Sequence, residues 1–205
     1  MFRHHHPYAR LTVSLSLLLM AVPGNLPRAA AQEPPAPANP ASPQTTSDVQ
    51  TLLDTGTKAW SEKGPSDALP LLEKALEGAR KTQDKPREAT ALSHLGLVYR
   101  DLGQPQRALD SLGHALSLYQ QVGDKNNEAG TLTNLGLACQ DLGQPQKALD
   151  YFSQALPLHR QTGNKTFEAN TLVNLGGVYN GLGQPQKALE YLQSISKIGL
   201  FVPIL

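Results

Sequence analysis

One five-residue phrase constrains this chain more than any other feature. Leu102-Gly103-Gln104-Pro105-Gln106 returns unchanged at Leu142 to Gln146 and at Leu182 to Gln186, 40 residues apart each time. Two flanking phrases keep the same period. Upstream stand Leu95-Gly96-Leu97-Val98-Tyr99, Leu135-Gly136-Leu137-Ala138-Cys139 and Leu175-Gly176-Gly177-Val178-Tyr179. Downstream stand Ala108-Leu109, Ala148-Leu149 and Ala188-Leu189. Self-similarity at a fixed period of this size marks units that cannot bury an apolar face alone and must stack on their neighbours.

Within one unit, Leu92, Leu95, Gly96 and Tyr99 fall at helical spacing, and so do Ala108, Leu109, Leu112, Ala115, Leu116 and Tyr119. Between them, Gly103 suits a helix end that needs positive φ. Pro105 suits the first turn of the next helix, where its missing N–H costs nothing. The unit therefore reads as helix–turn–helix, with Gly123 and Asp124 (Asn164 one period on) expected to close the second helix. A glycine inside a helix costs about 0.8–1 kcal/mol relative to alanine. The return of Gly96 as Gly136 and Gly176 therefore argues that the two helices of a hairpin cross closely there.

These positions resemble the tetratricopeptide repeat family. Leu95, Gly96, Tyr99, Gly103, Ala108, Leu112 and Ala115 stand in the order and spacing of its signature, as do Leu135, Gly136, Gly143, Ala148, Phe152 and Ala155. The resemblance implies an all-α fold, a right-handed superhelical solenoid of stacked antiparallel helix pairs. The period of 40 departs from the family's usual one of about 34. Gln120 and Arg160 also stand where a proline often closes the second helix. The longer period looks like the repeats of kinesin light chains and spindle-orientation adaptors, and like bacterial repeat proteins that carry a CHAT-type peptidase domain.

The ends read differently. Residues 1–31 have the pattern of a secretory signal: Arg3 and Arg10, an apolar run of twelve from Leu11 to Val22, then Ala29-Ala30-Ala31 before Gln32. The run is short for a membrane span, which needs about 20 apolar residues. Cleavage after Ala31 would leave a secreted or periplasmic protein with no membrane segment. Residues 32–47 form a Pro-rich linker, with five prolines among Ala, Ser and Thr. The array is expected over residues 48–193, as repeats 49–88, 89–128, 129–168 and a partial 169–193. Trp60 in the diverged first repeat reads as an end contact, and Pro70 as a kink or a late helix start. Residues 194–205 are an apolar tail, Ile198 to Leu205 above all. It fits self-association, docking, or a repeat cut short.

Chemistry is sparse. Cys139 is the only cysteine and shares a repeat position with Tyr99 and Tyr179, so it reads as a buried apolar residue. His94, His114 and His159 occupy different repeat positions and have no metal-ligand spacing. Asp101 and Asp141 have no evident charged partner. The Gly-Gln-Pro turns lack a phosphate-binding pattern. With 18 Lys and Arg against 17 Asp and Glu, and few aromatics, nothing favours nucleic acid. No enzyme, cofactor or metal site is expected.

The resemblance implies a role instead. In the family the first helices of successive repeats line a concave groove that takes a protein or an extended peptide. By register the groove would be lined by His94, Leu97 and Arg100, then Asn134, Leu137 and Gln140, then Asn174 and Asn180. The carboxamides of Asn134 and Asn174 can donate and accept together, as a peptide backbone requires. The expected function is an exported interaction scaffold. The alternative is a fragment of a larger CHAT-type peptidase or signalling protein, its repeats regulating an effector domain not in this sequence.

Overall fold

The computed structural model describes residues 45–198. The leader, the linker as far as Gln44 and the tail beyond Ile198 lie outside the described residues. So do the cleavage site and the proposed self-association segment.

The described residues form eight helices: α1 (Thr46–Lys63), α2 (Pro65–Lys81), α3 (Lys85–Asp101), α4 (Pro105–Val122), α5 (Lys125–Asp141), α6 (Pro145–Gln161), α7 (Lys165–Gly181) and α8 (Pro185–Ser196). They pack in order as four antiparallel hairpins, each stacked on the next. The architecture is the expected all-α solenoid.

The repeated phrase makes the tight turn inside each hairpin. Gly103, Gly143 and Gly183 have φ of 70°, 66° and 70°, a region that side-chain-bearing residues avoid. The Gln104 N–H then donates to the Tyr99 carbonyl at 2.8 Å, and Gln144 to Cys139 at 2.8 Å. Pro65, Pro105, Pro145 and Pro185 open the second helices of the four hairpins at their first position.

The turns between hairpins do more than expected. Asp124 and Asn164 close the preceding helix through the backbone, their N–H groups donating to the Tyr119 and His159 carbonyls at 3.0 Å. Their side chains also open the next helix: Asp124 accepts from the Asn127 N–H at 3.0 Å and Asn164 from Phe167 at 3.3 Å. A side-chain oxygen at this position satisfies a backbone donor that the first turn leaves free. The first helices consequently begin at Lys85, Lys125 and Lys165, four residues ahead of Ala89, Ala129 and Ala169. Likewise α1 begins at Thr46, where Thr45 and Asp48 form a reciprocal capping box. Pro70 neither delays nor ends α2, which starts at Pro65 and continues to Lys81. Its ring is on an exposed face, and only one backbone donor is lost.

The repeated glycines do mark close crossings. A methyl group at Gly96 would lie 2.5 Å from Leu112 Cγ, and one at Gly136 would run into the Phe152 ring. At Gly176 the nearest atom, Leu192 Cγ, is 3.1 Å away. Each glycine thus receives the large residue sixteen positions later. A large apolar residue facing a bare backbone gives dense packing without a void. Leu72, Leu112 and Phe152 are fully buried in this way, and the cores of successive hairpins merge along the stack.

Candidate functional site

The first helices face inward. Besides packing on their hairpin partners, α1 approaches α3 and α3 approaches α5, whereas α2, α4 and α6 make no comparable approach to one another. Like helices that touch from repeat to repeat lie on the inner side of the stack. Those that splay apart lie on the outer side.

Along α3 the residues turned away from the core recur at helical intervals as Thr90, His94, Leu97 and Asp101, flanked by Ser93 and Arg100. The same stripe on α5 is Asn134, Leu137 and Asp141, flanked by Gln140, and on α7 it is Asn174 and Gly177, flanked by Asn180. All eight residues assigned from the sequence therefore share this inner side. His94, Leu97, Arg100, Asn134, Leu137, Gln140 and Asn174 are half-buried, and Asn180 is exposed.

Their partners divide them into two groups. Arg100 is engaged: its Nε lies 3.3 Å from Asp141 Oδ2. Trp60, one period earlier, donates from Nε1 to Asp101 at 3.0 Å. Asp101 and Asp141 are thus paired after all, each with a residue of the preceding repeat. The sequence hides this because the partners are 41 residues apart and of different types. Trp60 is accordingly an end contact, packed on the first core cluster as well as hydrogen-bonded. Gln140 occupies the next such position, but Gly181 stands where an acid would be needed.

The second group is free. The carboxamides of Asn134, Gln140, Asn174 and Asn180 make no hydrogen bond to the protein. Nor are they among the polar atoms sealed from solvent without a partner. They bond neither their own helices nor each other, so their donors and acceptors are not used within the described residues. His94, in register with the two asparagines, is more enclosed. Its Nδ1 is buried without a partner, and burial pushes the imidazole pKa down, so it is neutral at pH 7.

A second row of contacts lies deeper and was not visible in the sequence. The hydroxyls of Ser93 and Thr131 lie 3.3 Å apart, and those of Thr133 and Thr171 lie 3.4 Å apart. His159 Nε2 reaches Thr133 Oγ1 at 3.1 Å, and its ring stacks on Phe167 at 5.5 Å between centroids. Each hydroxyl pair joins neighbouring first helices across a spacing of 38 residues. The available signal was the pair of threonines at 131 and 171, three residues ahead of Asn134 and Asn174.

The reactive groups are quiet. Cys139 is buried, and burial pushes its thiol pKa up, away from a nucleophilic thiolate. Among the described residues no group of three or more His, Cys, Asp or Glu is arranged to hold a metal ion. No described helix is long and apolar enough to cross a membrane.

The tetratricopeptide repeat sequence pattern matches residues 62–121 and 127–198, more than half of the chain. The chain belongs to the tetratricopeptide repeat family. Its fold is similar to that of BtubC (BKLC) from P. vanneervenii, at 20% identity and a TM-score of 0.69, covering 77% of this chain and 66% of that one. It is also similar to the kinesin light chain-like repeats of Podosopora anserina, at 20% identity and a TM-score of 0.63, covering 76% of this chain and 77% of that one. A Rap protein solved in complex with Competence and Sporulation Factor matches at 19% identity and a TM-score of 0.69. There the match covers 75% of this chain but only 43% of the Rap protein. At such identities the likeness is one of fold. No curated protein matches the sequence. Tetratricopeptide repeats are in general protein–protein interaction scaffolds rather than catalysts.

Proposed function

We propose that this tetratricopeptide repeat protein is an exported scaffold that holds an extended peptide, or an extended segment of a protein, along the inner face of α3, α5 and α7. The observation that carries the reading is the set of four unpartnered carboxamides on that face. A polar side chain with both donors and acceptors free can pair with the alternating N–H and C=O groups of an extended backbone. Leu97 and Leu137, half-buried beside them, offer apolar contact to the peptide's side chains. Arg100 belongs to the frame rather than to the contact set, because its guanidinium is held by Asp141. With no cluster of basic residues on this face, a strongly acidic peptide is not favoured. The Rap protein in complex with Competence and Sporulation Factor supports the reading by analogy of fold.

The export part rests on residues 1–31 alone. Mass spectrometry of protein recovered outside the cytoplasm checks it: the expected N-terminus is Gln32. An intact N-terminus would remove export from the proposal and leave the scaffold reading untouched.

The binding part is checked by affinity capture from extracytoplasmic extract, comparing the natural sequence with an Asn134→Ala, Asn174→Ala variant of equal helicity. A partner retained by the first and lost by the second supports the inner face. Equal capture by both moves the site elsewhere on the array.

A further inference from the structure

One position sets the interface between the third and fourth hairpins apart from those before it. His159 on α6 stands where the first two hairpins have Ala79 and Tyr119, and all three residues are buried. Alanine carries no titratable group, and a tyrosine hydroxyl ionises only near about pH 10. An imidazole titrates close to neutral pH. Among the described interfaces, only this one seals a group that gains a charge in mild acid.

The bonds around the ring leave one nitrogen idle. His159 Nε2 lies 3.1 Å from Thr133 Oγ1 on α5, and Nδ1 is buried with no partner. The Thr171 hydroxyl donates to the Phe167 carbonyl at 2.8 Å. The Thr133 hydroxyl has two acceptors in reach, the Ala129 carbonyl at 3.1 Å and Thr171 Oγ1 at 3.4 Å. With its proton given to either, Thr133 accepts from the ring, and the neutral ring carries its proton on Nε2. The other tautomer would leave an N–H at Nδ1 with nothing to receive it. A second proton has only Nδ1 to occupy. It would set a charge and an unmade donor inside a sealed site, which the folded interface resists.

The same interface is the least tied of the three. Helix α6 packs on α7 less extensively than α4 on α5, and α5 makes no approach to α7 comparable to that of α1 to α3 or α3 to α5. Trp60 with Asp101 and Arg100 with Asp141 clamp the earlier interfaces, whereas Gln140 meets Gly181. Among the described residues, one hydroxyl contact, Thr133 with Thr171, joins α5 to α7 by a hydrogen bond. The ring of His159 also has a way out, because it stacks on Phe167, which is 47% exposed.

We propose that the third and fourth hairpins form an acid-opened joint, in which protonation of His159 moves α7 and α8 away from α5 and α6 until water reaches Nδ1, while the first three hairpins stay stacked.

The groups facing the ring set where the joint opens. They come from α5 and α7, the helices packed on α6. From α5 they are Ala129 and Thr133, both neutral, and the neighbouring Glu128 is held by Gln120 and Lys125. From α7 they are Phe167, Thr171 and Glu168. The Glu168 carboxylate favours the charged ring, but it already accepts from Arg160 Nε at 2.7 Å. Burial outweighs it and holds the imidazole pKa below 6.5. The folded interface therefore excludes the proton at neutral pH and yields to it only below about pH 6.5. Asn134 stands on α5 and Asn174 on α7, so opening would also part these two carboxamides. The joint itself does not depend on a ligand at the inner face.

Spin labels on the outer helices of the full chain test the proposal. In a Cys139→Ala background, Gly113→Cys with Gln193→Cys reports across the joint, and Lys74→Cys with Gln154→Cys reports across the first three hairpins. All four sites are exposed, and a side chain at Gly113 meets nothing within 4 Å. From about pH 7.5 to about pH 5, the first distance should lengthen by at least about 3 Å, room for one water at hydrogen-bond distance, and the second should not change. The midpoint should coincide with the titration of the His159 ring proton in NMR. In His159→Tyr and in His159→Phe both distances should stay constant over that range. Three results overturn the proposal: a first distance that does not move, two distances that lengthen together, and lengthening in the variants equal to that of the natural sequence. If the variants lose helicity at neutral pH, the NMR midpoint decides alone, and a ring titration apart from the distance change excludes His159 as the trigger.

Discussion

The third and fourth hairpins share their turn sequence and much of their core pattern, yet only the third is enclosed. Phe152 and Leu192 stand at the same repeat position and each faces its hairpin's glycine, one sealed and the other half in solvent. Leu149 and Leu189 differ in the same way. Thr133 shares a hydroxyl contact with Thr171 of the next repeat, whereas Val173 has no next repeat to meet among the described residues. Asp141 closes a rung with Arg100, while Gly181 leaves Gln140 without one. The lesson is that burial in a stacked array belongs to the interface between units. A hairpin supplies half of each interface and inherits the other half from its neighbour.

The largest expected effects break the comparison at the core. Phe152→Ala should cost about 3–5 kcal/mol in urea unfolding, as truncation of a sealed aromatic does. Leu192→Ala should cost about 1–2 kcal/mol, because much of that side chain is already hydrated. Equal losses at the two positions would mean that the end of the array is packed like its interior.

The facing glycines give a finer version. Gly136→Ala should destabilise by about 1–3 kcal/mol, since the new methyl group meets the Phe152 ring with no room to yield. Gly176→Ala should be close to neutral in the same urea titration. There Leu192 is half exposed and can shift, and the about 1 kcal/mol of helix propensity that alanine recovers offsets the remaining tight contact with the Ala188 carbonyl oxygen at 3.3 Å.

The histidines predict a response to pH. Burial lowers the pKa of both His94 and His159 below the ordinary value of 6.5. The unfolded chain therefore takes up protons first as pH falls, and stability should be full above about pH 6.5 and decline below it. His159→Tyr, which copies Tyr119 one period earlier, should flatten the third hairpin's share of that decline. Thermal unfolding at several pH values checks it, and a slope unchanged in this variant would assign the effect elsewhere.

The smallest effects lie on the exposed rungs. Arg100→Ala should cost about 0.2–1 kcal/mol, the range of a solvent-screened ion pair. Gln140→Ala, with no acid opposite, should cost less still. A larger loss at Gln140 would show that its carboxamide is not free.

The helical hairpins were legible because a five-residue phrase repeats with its turn chemistry complete. Gly103 and Pro105 state where one helix stops and the next starts, and Gly96 states where two helices touch. Helix starts were less legible: Asp124 and Asn164 suit either end of a helix by composition, and only the structure shows that each serves both, its backbone N–H closing one helix and its side chain opening the next. The inner face followed from register, because residues one period apart occupy equivalent places in a regular stack. Which of its side chains were free did not follow. Arg100, Gln140 and Asn180 share one repeat position, but Arg100 meets Asp141, Gln140 meets only Gly181, and Asn180 has no described repeat beyond it.

By itself, then, the sequence determined the class of fold, the hairpin as its unit, the close crossings and the side of the stack on which Asn134 and Asn174 lie. Each of these is a consequence of local periodicity, which propensity and steric fit translate directly into structure. Only the tertiary structure decided the pairing of Trp60 with Asp101 and of Arg100 with Asp141, the hydroxyl contacts between first helices, and the exposure of Leu189 and Leu192. The pairings depend on distances between residues about 40 positions apart, and the exposure on what stacks against the last described hairpin; stacking sets both, and no single repeat encodes them.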